Sequence, residues 1–137
     1  MIYTHTYDPD RKHVFEVIEG EVTKPLAEEN TRLGLALGRK HCCRRFLLDW
    51  TKATIKASTV DIYLYALELY ELGLRTCDRV AVVMSDDEDD RKNHRFFETV
   101  AKNRGWYNIH YFEDMDSATD WLKDAGEDPE QAAGSKY

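Results

Sequence analysis

The sequence predicts an α/β domain with a mainly parallel five-stranded sheet, an antiparallel strand from an N-terminal hairpin, and about four helices. Three short apolar runs carry this prediction: Phe46-Leu47-Leu48, Val80-Ala81-Val82-Val83 and Ile109–Phe112. Such runs are typical of strands that are buried on both faces of a parallel sheet. Each run is followed by a segment with helical spacing of apolar residues. An alternation of strands and helices of this kind requires parallel strands joined by crossovers.

The N-terminal region predicts a β-hairpin followed by a helix. Two β-prone segments, residues 2–7 and 13–19, flank Asp8-Pro9-Asp10-Arg11, a turn with proline at its second position. Thr23 is the expected N-cap of the first helix, and Gly38 is its expected end.

The central region predicts a buried strand, a loop and a long helix. Residues 45–50 form the strand, residues 51–57 form the loop, and the helix runs from Ser58 to Gly73. Ser58 is a favourable N-cap, and Asp61 stands at the acidic position of a capping box. The side chains expected to face the core are Ile62, Tyr65, Ala66, Leu69 and Leu72.

The C-terminal half continues the alternation of strand and helix. The predicted elements are a strand at 79–84, a helix from the acidic run 86–90 to Gly105, a strand at Ile109–Phe112, and a helix from Asp116 to Gly126. We therefore expect one domain over residues 1–126. The polar segment 127–137 is expected to be a disordered tail.

Composition narrows the function classes. The formal net charge is −7, which disfavours binding to nucleic acid and to anionic membrane surfaces. No apolar run approaches the roughly 20 residues that a membrane-spanning helix needs, so we expect a cytoplasmic protein. The histidines and cysteines form no catalytic or metal-binding spacing. We therefore predict no catalytic residue, no resident metal and no cofactor.

One stretch resembles a known regulatory family. Phe46-Leu47-Leu48-Asp49-Trp50-Thr51 ends a strand, and Ser58 then opens a helix. Together with the element order, this resembles the STAS domain, in particular the stand-alone, SpoIIAA-like bacterial branch. The resemblance implies the SpoIIAA-like fold and a non-enzymatic regulatory module. It also implies Ser58 and Thr51 as candidate phosphorylation sites. The sequence departs from the family pattern at Ala57-Ser58-Thr59-Val60, where regulatory members carry an acid before the hydroxyl residues and a glycine after them.

The expected recognition surface surrounds the start of the second helix. A phosphate on Ser58 would meet free backbone N–H groups there, whereas the alternative role of Ser58 is that of a simple N-cap. The candidate binding residues are Asp49, Trp50, Thr59, Tyr63, Leu67 and Tyr70. Because Tyr63, Leu67 and Tyr70 add a second apolar side to the helix, they must contact something. The alternatives are a neighbouring helix, a partner protein, a second copy of the chain, or an apolar ligand.

Two further functions are kept as alternatives. The first is a carrier of an apolar or lipid-like small molecule, because Trp50 and Trp106 stand near strand and loop edges where pockets form. The second is a Mg²⁺-dependent phosphate enzyme, because Asp49, Asp86 and Glu113 each follow or end a predicted parallel strand.

Overall fold

Five strands form one mixed sheet in the order in which they occur along the chain. The strands are β1 Ile2–Asp8, β2 His13–Val22, β3 Arg45–Ile55, β4 Arg79–Val83 and β5 Ile109–Phe112. Strand β1 pairs antiparallel with β2, and β2 to β5 pair in parallel. This computed structural model describes residues 2–123. The predicted α/β class and the sheet topology are confirmed.

Five helices cover the two faces of this sheet unequally. The helices are α1 Lys24–Lys40, α2 Thr59–Leu67, α3 Leu69–Leu72, α4 Glu88–Asn103 and α5 Met115–Lys123. Helices α1, α3 and α4 contribute to one core cluster, which includes Phe46, Val80 and Val82. Helix α5 packs on the opposite face, where Ala118 and Leu122 contact a cluster of small and aliphatic strand residues.

Strand β3 is longer than predicted, and the loop expected at 51–57 is largely strand. Residues 52–55 of β3 pair with residues 19–22 of β2. Val17 lies opposite Asp49 and Glu19 lies opposite Lys52, so two residues of β3 face one residue of β2. This is a β-bulge, which re-aims the side chains on either side of it. The prediction failed because the bulge interrupts the apolar alternation that identifies a strand.

The second predicted helix is divided into α2 and α3. The backbone N–H of Glu68 donates to the carbonyl of Tyr65 at 3.0 Å, which is the tighter spacing of a 3₁₀ turn. The helical segment ends at Gly73 as predicted, in the left-handed conformation that favours glycine.

Three predicted helix limits differ from the observed ones. Helix α1 continues past Gly38 to Lys40, because Gly38 serves as a close-packing position against Phe46. Helix α5 is capped by Asp114, not by Asp116, since Asp114 Oδ1 accepts a hydrogen bond from the Ser117 N–H at 2.7 Å. The predicted end at Gly126 and the predicted tail 127–137 lie outside the described residues.

Candidate functional site

Ser58 is exposed and caps helix α2. Its Oγ accepts a hydrogen bond from the backbone N–H of Asp61 at 3.1 Å, and its backbone is extended. The predicted N-cap is therefore confirmed. The neighbouring Thr59, the first residue of α2, is also exposed. The start of α2 thus presents two hydroxyl side chains to solvent beside the free N–H groups of a helix terminus.

Asp49 and Thr51 serve the β-bulge and are not part of the Ser58 terminus. Asp49 Oδ1 accepts hydrogen bonds from the Thr51 N–H at 3.0 Å and from the Thr51 hydroxyl at 2.6 Å. The two residues therefore stabilise the bulge locally. Ile55 lies four residues beyond Thr51 in the strand, about 13 Å at the usual rise of a strand, and Ser58 follows three residues later. The loop expected at 51–57 is therefore largely strand, and the recognition surface around these residues and the start of α2 stays a prediction.

An exposed apolar surface follows Ser58 on helix α2. Val60, Tyr63 and Leu64 are 64%, 44% and 41% exposed, and we call these three residues the α2 patch. Their spacing of three and four residues places them on one face of the helix. Val60 and Leu64 were not predicted to belong to this surface, although their spacing is visible in the sequence.

The other two predicted members of that surface behave differently. Leu67 is half-buried, and Tyr70 belongs to α3, beyond the break at Glu68. The Arg75 guanidinium lies over the Tyr70 ring at 3.9 Å from its centroid, so one face of that ring already has a partner within the chain.

A cavity of about 130 Å³ lies beneath α2, between the sheet and helices α1, α2 and α4. Trp50, which was expected on the binding surface, lines this cavity. Its lining from the helices includes Leu35, Ile62, Tyr65, His94 and Phe97, and its lining from the strands includes Phe46, Leu48, Trp50, Val82 and Tyr111. The sequence could not reveal this cavity because its walls come from elements distant in the chain.

A buried polar cluster borders the same cavity. Glu16 on β2 is buried, accepts a hydrogen bond from Asn30 at 3.2 Å, and lies 3.3 Å from the His5 ring. Burial raises the pKa of the Glu16 carboxyl, although His5 and Asn30 act in the opposite direction. Burial lowers the pKa of His5, but Glu16 and Asn30 together outweigh burial and leave that pKa raised. This cluster was not predicted from the sequence, since an isolated glutamate in a strand gives no signal of burial.

The carboxylates considered for Mg²⁺ are engaged by other groups. Arg91 donates to Glu113 Oε1 at 2.5 Å and to Asp86 Oδ1 at 3.3 Å, so a guanidinium lies between these two acids. Asp49 is bound to Thr51, as described above. Within residues 2–123, no group of three or more His, Cys, Asp and Glu side chains is arranged to hold a metal ion. The described helices also include none with the length and apolar character needed to cross a bilayer.

The acidic run at the start of α4 is not uniformly exposed. Asp87 is the N-cap of α4, accepting from the Asp90 N–H at 3.0 Å. Asp90 itself is buried and accepts hydrogen bonds from the Ile55 N–H and from the Ser85 hydroxyl. Asp90 therefore binds the end of β3.

Comparisons with known proteins identify the fold. No protein-family model and no curated protein sequence matches the chain. Among solved structures, the anti-sigma factor antagonist SpoIIAA in its unphosphorylated form matches with a TM-score of 0.54 and 11% identity, over 92% of this chain and 100% of that one. An uncharacterised DUF3478-family protein from Shewanella loihica PV-4, with a SpoIIAA-like fold, matches with a TM-score of 0.51 and 20% identity, over 88% and 92% of the two chains. The phosphorylated form of SpoIIAA from Bacillus matches with a TM-score of 0.49 and 12% identity, over 88% and 99%. The chain has the SpoIIAA-like fold that its resemblance predicted.

Proposed function

We propose that this chain is a regulatory interaction module whose α2 patch binds a partner protein, and that phosphorylation of Ser58 controls this binding. The observation that carries the proposal is the position of an exposed hydroxyl immediately before three exposed apolar side chains on one helix face. In this proposal the chain acts through binding rather than through catalysis. SpoIIAA, whose fold the chain shares, is an anti-sigma factor antagonist, which agrees with a regulatory role.

The α2 patch supports a partner with an apolar groove. A helix face with residues at the i, i+3 and i+4 positions is the usual anchor of a helix that docks into such a groove. Tyrosine is among the residues that contribute most to protein interfaces, so Tyr63 is the expected anchor. The exposed area of all three side chains would then leave water on binding.

Phosphorylation at Ser58 would alter this surface without disrupting the helix. A phosphate at a helix N-terminus is stabilised by the free N–H groups and by the positive end of the helix dipole. It would also add a charge of about −2 two residues from Val60, at the border of the apolar interface. Ser58 is favoured over Thr51, because the Thr51 hydroxyl already donates to Asp49.

Affinity capture from the native cell, followed by binding measurements with the purified partner, tests the proposal. Bait proteins would be the wild type, Tyr63→Ser with Leu64→Ser, and Tyr107→Ser as the matched control. Tyr107 is also exposed but lies outside the α2 patch. We expect a partner that binds the wild type and the control with equal affinity, and that loses at least tenfold in affinity for the double variant.

Two outcomes would contradict the proposal. One is a partner that binds the double variant as tightly as the wild type. The other is a dimer of the purified chain, detected by light scattering, that the double variant abolishes; the α2 patch would then bind a second copy. For the switch, Ser58→Asp should change the affinity at least fivefold, and an unchanged affinity together with an unmodified Ser58 in cells would refute it.

A further inference from the structure

The cavity beneath α2 has the size of one aromatic ring. Its volume is about 130 Å³, and aliphatic and aromatic side chains form most of its walls. An apolar protein cavity of roughly 150 Å³ is large enough to bind benzene. A single aromatic ring with one small substituent therefore matches this volume.

One polar atom in the cavity wall is buried and has no hydrogen-bond partner among residues 2–123, the Trp50 Nε1–H. His94, which also lines the cavity, is only 5% exposed and contacts the rings of Trp50 and Tyr111, with centroid distances of 5.2 Å to both. Because buried polar groups are nearly always paired, the unpaired indole N–H beside His94 points to a missing polar atom in this part of the cavity.

Three further polar side chains of the cavity wall are already engaged. The hydroxyls of Thr31 and Tyr65 are 2.6 Å apart and bind each other. Lys24 Nζ, near the mouth, is held by Glu28 at 2.8 Å and by Glu68 at 3.1 Å. No free cation in the described lining is thus available to an anionic ligand. An anionic ligand would therefore pay a large desolvation cost without a compensating partner. The buried carboxylate of the lining, Glu16, already accepts a hydrogen bond from Asn30.

We propose that this cavity is a binding site for a neutral, single-ring aromatic molecule that carries one hydroxyl or N–H group, with His94 as its hydrogen-bond partner. The ring packs between Leu48, Ile62 and Phe97, and its polar group reaches His94 beside Trp50 and Tyr111. An uncharged imidazole supplies one donor and one acceptor, so it serves either a hydroxyl or an N–H. This site is separate from the α2 patch, and the proposal does not depend on the proposed regulatory function.

Phenol and toluene are the probes that test this assignment. They have the same size and differ only in the hydroxyl group that His94 would bind. Their dissociation constants would be measured by ligand-observed NMR for the wild type, His94→Phe and His110→Phe. His94→Phe keeps an aromatic ring in the wall but removes both nitrogens. His110→Phe is the matched control, because His110 stacks on Trp121 on the opposite face of the sheet.

We expect saturable binding of phenol to the wild type and to the control. In His94→Phe, the preference for phenol over toluene should fall about fivefold, the usual effect of one neutral hydrogen bond. An unchanged preference would overturn the role of His94. A measurement on the wild type alone is also decisive: phenol should shift the NMR signal of the Trp50 indole N–H. No saturable binding of either probe, or shifts confined to other regions, would refute the site.

Discussion

The carboxylate of Asp90 accepts a hydrogen bond from the backbone N–H of Ile55 at 3.0 Å, which joins the first turn of α4 to the end of β3. The second oxygen of Asp90 accepts from the Ser85 hydroxyl at 3.2 Å. Asp90 is 3% exposed, so these contacts are shielded from water. The acidic run therefore contains one buried residue among neighbours that are exposed.

Replacement of Asp90 by alanine should destabilise the protein by about 2 kcal/mol, because the part-buried N–H of Ile55 and the Ser85 hydroxyl would lose their acceptor. Thermal or denaturant unfolding measures the change. Asp89→Ala is the control, since Asp89 is exposed in the same helical turn and its replacement should alter stability by less than about 0.5 kcal/mol. Equal effects of the two substitutions would contradict the role assigned to Asp90.

Ser58→Ala should cost about 1 kcal/mol of stability, because the Asp61 N–H loses its capping oxygen. Ser58→Asp should retain most of that stability, since aspartate caps a helix as well as serine does. Urea unfolding of the two variants gives the comparison. This difference matters for the proposed switch, because Ser58→Asp then adds charge without loss of the cap. If Ser58→Ala and Ser58→Asp had the same stability, loss of the capping oxygen would not explain the destabilisation of Ser58→Ala.

His94 should make the protein less stable in acid. Burial lowers the pKa of His94 from 6.5 to about 4, so the folded state resists protonation that the unfolded state accepts. The stability from a neutral His94 is present above pH 6.5 and is lost as the pH falls towards 4. When the pH falls from 7 to 4.5, the free energy of unfolding of His94→Phe should decrease by about 2 kcal/mol less than that of the wild type. Denaturant unfolding of the wild type and His94→Phe at both pH values tests this, and an equal loss of stability in the two proteins would contradict it.

Gly38→Ala should destabilise helix α1 although alanine favours helices. A Cβ at position 38 would lie 2.6 Å from Phe46 Cζ and 2.8 Å from the Cys43 carbonyl oxygen. The strain should exceed the gain in helix propensity, which is about 1 kcal/mol, so the protein should lose roughly 1 to 2 kcal/mol of stability. Ala36, exposed in the same helix, provides the comparison: Ala36→Gly should lose about 1 kcal/mol through propensity alone. A stabilised Gly38→Ala protein would show that Phe46 relaxes freely.

Millimolar Mg²⁺ should leave the melting temperature unchanged. Arg91 already bridges Asp86 and Glu113, and the Asp49 carboxylate is bound to Thr51. A ligand that binds the folded state raises the melting temperature, so thermal unfolding with and without Mg²⁺ is a direct test. A rise that Asp49→Asn abolishes would restore the alternative of a metal-dependent enzyme.

Local patterns accounted for the features that the sequence predicted correctly. The apolar runs in β3 and β4 identify strands because both faces of those strands are buried, and Ser58 was identified because capping depends only on the next three residues. The strand extension to Ile55 depends on pairing with residues 19–22, which are distant in the chain. Burial of Asp90 and Glu16 depends on tertiary packing, so neither was distinguishable from a surface acid. The cavity also depends on tertiary packing, because it is the space left between the sheet and helices α1, α2 and α4.

Helix α2 has a different neighbour on each side, since Ile62 and Tyr65 border the cavity while Val60, Tyr63 and Leu64 meet solvent. A rotation or shift of this nine-residue element would alter both sides together. If both proposed sites exist, thermodynamic linkage requires that any effect of a small aromatic molecule on partner affinity be matched by an equal reciprocal effect. The same short helix could then convert the presence of a metabolite into a change of protein association.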